Sequence, residues 1–381
     1  MFHGLSIILL KFEARYFFLY FVCKYILKRL LYGLLVLFGV ITVIFLLFNV
    51  LPGDPARLML GQRTDAKTIA TINVELGLDR PKWLQFIKYI DDLSQLSVFS
   101  EHESKSYFFY DKARYSNSLK LFSISGNAVI LKFPYLRRSY QSGMNVSEII
   151  SETIPNTFIL ALVSILFASI AGITWGIFAA IRQNSYFDRV SLVLSALGMS
   201  LQSFFAAILI AWIFAFLLAD YTGLNMTGNL FEIDDFGNGE HFVLKNLILP
   251  AFTLGIRPLS VVLQLSRNSM LEVLSHDYIR TAKAKGLSFR NIIIRHALRN
   301  ALNPVITAIS GWFASLMAGV VFIEYIFGWK GLGYVIVTAL ARYDFPLVMG
   351  AVLTISVIFI IINILVDIVY SILDPRIKTG S

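Results

Sequence analysis

Cysteine is almost missing from this 381-residue chain: Cys23 stands alone, so no internal disulfide can form and no Cys-rich zinc or iron–sulfur site is available. Charge is scarce as well. Only 15% of residues are Asp, Glu, Lys or Arg, against about 25% in soluble domains. The five histidines are scattered, and His276 and His296 lie twenty residues apart without supporting ligands, so no metal site is expected. A phosphate cradle is missing too. Gly328-Trp329-Lys330-Gly331-Leu332-Gly333 is glycine-rich, but its spacing misses GxxxxGK[ST]. The long apolar runs hold no clustered His, Asp or Glu, which argues against an enzyme embedded in a membrane.

What the chain has instead is hydrocarbon. It is 57% hydrophobic and 14% aromatic, with a mean hydropathy of +0.70. Five runs carry no charge at all, 30–53, 153–181, 190–219, 300–323 and 345–366, each longer than the ~20 residues a spanning helix needs. A sixth, 246–266, is interrupted by Arg257 and Pro258. The expected fold is an all-α membrane protein of six transmembrane helices: 30–50, about 155–181, 190–219, 246–266, 300–323 and 345–367.

Six spans put both termini on one side, and the charge bias selects it. The short segments 1–29, 182–189, 267–299 and 367–381 carry 16 Lys/Arg, against three in 220–245 and 324–344. The basic side is cytoplasmic. Segment 51–152 is then a long extracytoplasmic insertion after the first span, with a helix expected around Ala66 to Leu76. Residues 92–132 have the alternating texture of strands (SYFFY, SLKLFSI, AVILKF). Residues 1–24 mix aromatic and basic groups, among them Lys11, Arg15, Phe17 and Lys24, which suits a helix along the cytoplasmic interface. Ser6 to Leu10 is too short for a signal core. The net charge of +9 follows this orientation rather than a nucleic-acid-binding face.

The stretch His276 to Thr307, HDYIRTAKAKGLSFRNIIIRHALRNALNPVIT, carries six Lys/Arg and one acid, Asp277. Tyr278 to Lys285 reads as a short helix, Gly286 as its C-cap and Ser288 as the N-cap of the next segment. The spacing resembles the coupling loop of ATP-binding-cassette importer permeases: Glu-Ala-Ala, three residues, Gly, then Ile-x-Leu-Pro. Here Arg280, Thr281 and Ala282 fill the triplet, Gly286 the glycine, and Arg299 stands where the proline would be. With HALRNALNPVIT, this resembles the oligopeptide/dipeptide/nickel branch, in its first permease type. Other segments are similar in the same order: YILKRLLYGLLVLFGVITVIFLLFNVLPGDP, TIPNTFILALVS, GIFAAIRQNSYFDRV, FIEYIFGWKGLGYVIVTALARYDFPLVMG and INILVDIVYSILDPRIK. Residues 91–131 depart from the family as an insertion, and Gln202 stands where a proline is often found.

The resemblance implies a permease subunit of an ATP-driven importer of di- or oligopeptides in a bacterial plasma (inner) membrane, with nickel complexes and other small solutes as branch alternatives. It implies a second homologous permease, two ATP-binding subunits that carry ATP and Mg, and an extracytoplasmic substrate-binding protein. No cofactor is expected on this chain. It assigns ATPase coupling to Asp277, Tyr278, Arg280, Thr281, Ala282, Lys283, Ala284 and Gly286, with Ala282 and Ala284 small enough to fit a partner's cleft. A solvated basic loop is the plain alternative.

Two residues are candidates for the pathway. Asp54, in Leu51-Pro52-Gly53-Asp54-Pro55, either accepts backbone bonds in the turn or faces the pathway mouth. Arg257 falls near mid-bilayer, where a charge costs ~2.5–3.5 kcal/mol on insertion scales. It either lines a cavity and attracts a substrate carboxylate or sits in an internal ion pair, with Pro258 loosening the helix beside it. Asp367, at the cytoplasmic end of the last span, is expected to anchor it, with a basic residue of the coupling loop as partner. The rival function is an ion-gradient-driven secondary transporter, which calls for buried carboxylates and matched broken helices; only Arg257–Pro258 fits.

The topology is testable by cysteine labelling in a Cys23→Ser background. An impermeant thiol reagent applied from outside should modify Ser104→Cys and leave Ser288→Cys untouched; the reverse pattern refutes the orientation.

Overall fold

The structure is a computed structural model, and it describes residues 28–48, 79–100, 115, 118–124, 127–233 and 239–373. Asp54, the 1–24 segment and the helix expected around Ala66 to Leu76 lie outside the described residues. The chain divides into two units, one of residues 1–133 and 356–381, the other of 134–355.

The first unit contains helix α1, Lys28–Phe48. Its Gly33 lets Ile360 approach so closely that an added Cβ would lie 2.8 Å from Ile360 Cγ2. Arg29 pairs with Asp367 at 3.1 Å. The anchoring partner of Asp367 is therefore at the foot of α1, not in the coupling loop. Helix α2, Lys82–Leu93, stacks on α1 through Phe45, whose ring centroid is 5.0 Å from Phe86 and 6.0 Å from Tyr89.

Strands β1 (Leu96–Ser100), β2 (Ser118–Ile124) and β3 (Asn127–Lys132) form an antiparallel sheet in the order β1-β3-β2. The strand texture is realised in SLKLFSI and AVILKF, while SYFFY lies outside the described residues. The sheet's packed face is unusually polar. Lys88 contacts Asp91 at 3.1 Å and lies 4.7 Å from the Phe99 ring centroid, while Lys132 Nζ donates to the Asp91 carbonyl at 2.8 Å. Burial holds Lys132 below the usual lysine range, with Asp91 and Asp92 opposing the shift.

The second unit is built around two long helices, α3 (Val146–Ile181) and α6 (Lys245–Ser275). Between them come α4 (Tyr186–Ser200), α5 (Ser203–Leu217) and a short hairpin of β4 (Phe231–Ile233) and β5 (Glu240–Phe242). After α6 follow α7 (Asp277–Ala284), α8 (Leu298–Gly319), α9 (Val321–Ile326), α10 (Leu332–Ala341) and α11 (Phe345–Leu373), whose residues from Ser356 onward belong to the first unit. Turns of π-helix close α5 and lead into α8, at Ala211–Leu217 and Ile292–Ala297.

Glycine sets the α3–α6 distance. A Cβ on Gly172 would lie 2.9 Å from the Leu259 carbonyl oxygen, and one on Gly176 only 2.5 Å from that of Leu263. Gly172 and Gly176 form a GxxxG pair, the pattern that lets helices touch backbone to backbone where lipid offers no hydrophobic drive. From the other side, a Cβ on Gly255 of α6 would meet the Ser164 carbonyl at 3.1 Å. α4 is tied on by polar bonds: Trp175 Nε1 donates to Ser191 Oγ at 2.8 Å, and Gln264 Nε2 to Ser195 Oγ at 2.9 Å. Ser185 caps α4 by accepting from the Asp188 amide at 3.2 Å. The buried Asp188 carboxylate receives Arg267 in a two-point contact of 2.5 and 2.8 Å.

Helix ends differ from the ends of the charge-free runs. α3 begins at Val146, not at about 155, because Val146 and Ile150 are buried and hold the extra turns. α6 runs on to Ser275, past 266, because Met270 and Val273 are buried and Arg267 is paired. Pro258 lies inside α6 without breaking it. The break falls instead between α4 and α5, which are bent by 110°. There Leu201 and Gln202 are extended, at φ −70°, ψ 127° and φ −69°, ψ 135°. α8 stops at Gly319 and the chain restarts as α9. The protein is mostly helical but carries two small sheets, so it is not strictly all-α. Among the described residues α1, α3, α6 and α11 are long and apolar enough to cross a membrane, with a fifth if the bent α4–α5 pair is counted as one span.

Alanine normally stabilises a helix over glycine by roughly 0.5–1 kcal/mol. Gly176→Ala should reverse that sign and lower stability by about 1–3 kcal/mol through overpacking, seen as a lower Tm of the detergent-solubilised chain. Gly39→Ala, with nothing within 4 Å of the new Cβ, is the control. An unchanged or raised Tm for Gly176→Ala refutes the close approach.

Candidate functional site

Helix α7 starts where His276 turns extended, at φ −69° and ψ 150°, which breaks the chain from α6. Asp277 occupies its first turn and Lys283 its last, each at the helix end whose dipole favours its charge. At the C-terminus Gly286 adopts φ +74°. Its N–H donates to the Lys283 carbonyl at 3.0 Å, and the Leu287 N–H to that of Ala282 at 3.3 Å. This is a Schellman cap, and it realises the role expected of Gly286. Ser288 sits at the N-cap position of the next turn, but its side chain makes no capping bond.

Two residues of α7 face inward. Ile279 and Ala282 are buried in a cluster with Ala180 of α3, Met270 and Val273 of α6, and Ile292, Ile293, Ala297 and Ala301 along the entry to α8. Burying Ile279 alone stabilises the contact by about 1.5–3 kcal/mol. Tyr278 is also held, since Asn300 Nδ2 donates to its hydroxyl at 3.0 Å. The opposite face is open: Asp277, Arg280, Thr281, Lys283 and Ala284 are exposed. Arg280 and Asp277 lie 3.5 Å apart, and an exposed pair of this kind contributes little. A groove of about 360 Å³ runs beside the helix, lined by Ile181, Leu271, Leu274, Lys283 and Phe289 among others.

Of the eight residues read as one coupling surface, Ala282 is displaced. Its methyl group packs inside the chain, so it is unavailable to a partner's cleft. The remaining seven stay together on or beside α7.

Arg257 is exposed on α6, and no carboxylate pairs with it among the described residues. Its guanidinium carbon lies 5.8 Å from the Trp312 ring centroid, a cation–π distance. Among the described residues its partner is an aromatic ring and not a carboxylate.

The glycine-rich segment 328–333 is organised by Glu324, a fully buried residue the sequence reading missed. Its carboxylate accepts from the Thr157 hydroxyl at 2.7 Å and from the Gly333 and Tyr334 amides at 2.7 and 3.2 Å. Trp329 is buried alongside, its indole N–H donating to the Asn156 carbonyl at 3.0 Å. Asp344, equally buried, accepts from the Ser139 hydroxyl and from the Tyr140 amide. The signals were present: Glu324 ends a charge-free run, and Ser185-x-x-Asp188 matches a helix start.

Residues 172–379 match the family described as "Binding-protein-dependent transport system inner membrane component", and residues 22–107 match its N-terminal companion. The chain belongs to this family. It is a permease of the ATP-binding-cassette importers, of the peptide/nickel branch. The dipeptide transport system permease protein DppB of Alkalihalophilus pseudofirmus is 32% identical over 93% of this chain and 99% of its own length. The glutathione transport system permease protein GsiC of Salmonella typhimurium is 33% identical over 93% and 99%. The inward-facing methionine transporter MetNI shares 13% identity over 60% of this chain and 97% of its own, at a TM-score of 0.49. The permease is thus a non-enzymatic, multi-pass component of the inner membrane.

Gly286 of this permease has open space around it, so a side chain there meets backbone strain alone. Gly286→Ala should cost about 1 kcal/mol and raise amide exchange at Gly286 and Leu287 roughly fivefold. Unchanged exchange refutes the left-handed cap.

Proposed function

We propose that this permease passes di- or oligopeptides across a bacterial inner membrane together with a second homologous permease, powered by two cytoplasmic ATPase subunits. The single observation that carries the coupling is the two-sidedness of α7: a charged face in solvent, and an apolar face packed on α3, α6 and the entry to α8. A push on the outer face reaches three spanning elements at once. Coupling of this kind requires that ATP-bound and ATP-free partners favour different arrangements of those spans, because equal affinity for both shifts nothing.

The rest of the reading follows the family. Six spans, with the bent α4–α5 pair as the third and α8 as the fifth, place both termini and α7 in the cytoplasm, in accord with the 16-to-3 excess of Lys/Arg on that side. Segment 51–152 then lies outside, where a substrate-binding protein delivers peptide. ATP and Mg belong to the partner subunits. Asp277, Tyr278, Arg280, Thr281, Lys283, Ala284 and Gly286 form the coupling surface, with Ala282 holding it to the bundle. Asp54 and Arg257 are pathway residues. Peptide as substrate is supported by the names of relatives matched along nearly their whole length.

Lys283→Glu and Ala284→Trp alter only the outer face of α7. Both should leave the chain folded in the membrane and lower ATPase co-purification at least roughly tenfold, since a reversed or desolvated contact at an interface costs about 1–3 kcal/mol. Ala282→Trp should instead lower the Tm of the chain itself. Normal ATPase recovery and peptide uptake for both outer-face variants would overturn the coupling surface.

A further inference from the structure

Arg257 lies twelve residues along α6 from Lys245, about 18 Å from that end at 1.5 Å per residue. An arginine at such depth must face water, a partner or a ligand. In this chain it is exposed, its flank rests on Trp312 of α8, and no described carboxylate pairs with it.

The helix that carries Trp312 is itself unusual. α8 has 22 residues, long enough to span, and it carries one row of small and polar residues at four-residue spacing, Asn303, Thr307, Gly311 and Ser315, all exposed. Gly311 has nothing within 4 Å of a would-be Cβ, so the row is open as well as polar. The exposed rows of α1 are built instead from Leu31, Leu34, Leu35 and Phe38. A third feature shares this level: a Cβ on Gly198, just before the 110° bend of the third span, would lie 3.3 Å from Ile256 Cγ2, beside Arg257. Non-helical backbone at membrane depth is tolerated where it is packed in protein or lines a watery cavity.

We propose that Arg257, steadied by Trp312, is a carboxylate-binding subsite midway along the pathway, with the Asn303–Ser315 row of α8 as the polar wall along which a peptide moves. The proposal rests on the reading of this chain as a peptide permease and adds which chemical group of the peptide it holds. The arginine fork accepts a carboxylate through two parallel N–H bonds. A ring under its other face leaves that fork free and fixes its direction. The C-terminal carboxylate is the one group that every unmodified peptide offers to such a fork.

The test uses the full complex in proteoliposomes with its binding protein, comparing uptake of one peptide as free acid and as C-terminal amide. The binding protein's own preference is the same for all permease variants and cancels in the comparison. Arg257→Gln should lower the acid-to-amide uptake ratio roughly tenfold, and Arg257→Lys should keep most of it. Ser315→Glu leaves Arg257 in place and adds a competing carboxylate one turn from Trp312; it should lower the ratio too, which keeps the idea testable if Arg257→Gln fails to assemble. An unchanged ratio, or equal loss of both peptides in Arg257→Gln and Ser315→Glu, overturns the subsite while the peptide-permease reading stands. If the wild-type complex carries neither peptide, that reading itself fails.

Discussion

Gly172 and Gly176 bring the backbone of α3 against the Leu259 and Leu263 carbonyls and the Val262 and Ser266 side chains of α6, and most of the second unit takes its position from that contact. In a bilayer, apolar side chains gain little by touching one another rather than lipid. Close approach of two backbones, with the dispersion contacts it allows, is what holds such helices together. Once α6 is seated on α3, its other faces present Ser260, Gln264 and Arg267 to α4. The Ser195 hydroxyl and the Asp188 carboxylate can then bind it without searching. Removing an atom of clearance at Gly176 would disturb each of these bonds together.

Charge in this chain is placed where its desolvation is compensated. Asp188 is buried, but it receives both arms of Arg267, the Asn184 amide and a helix start. Glu324 and Asp344 are buried too, each with several donors, and each binds a loop to the segment that precedes or begins α3. Breaking such a contact by deleting one partner strands the other, which costs more than the contact is worth. These acids therefore specify loop positions at the ends of the spans. Arg257 is the contrast: exposed in the isolated chain, with an aromatic ring for company.

Helix α7 is short, and eight residues would not hold a helix in water. It persists because Ile279 and Ala282 are inserted into a cluster contributed by α3, α6 and the residues before α8, and because Gly286 closes its last turn. The same insertion makes it a lever. Under the coupling proposed above, a push on its solvent face could not be absorbed by local unfolding without exposing Ile279, and would be passed to the helices it packs on.

Much of this was legible in sequence. Charge-free length pointed to the long apolar helices, the uneven Lys/Arg counts implied a side for each loop, and Gly286 followed by Leu287 and Ser288 marked a helix end, because each depends on local composition and backbone preference. Tertiary contact decided the rest. Composition could not tell that α3 starts at Val146, since those turns are held by burial rather than by hydropathy. Nor could it place the break at Leu201–Gln202, with no proline there, instead of at Pro258. Asp367 pairs with Arg29, more than three hundred residues away in the chain, and periodicity carries no information about such a partner. Ala282 and Ala284 are the same residue type two positions apart. One is buried in the chain and the other faces solvent, because a helix turns about 200° between them and only packing determines which side meets the bundle.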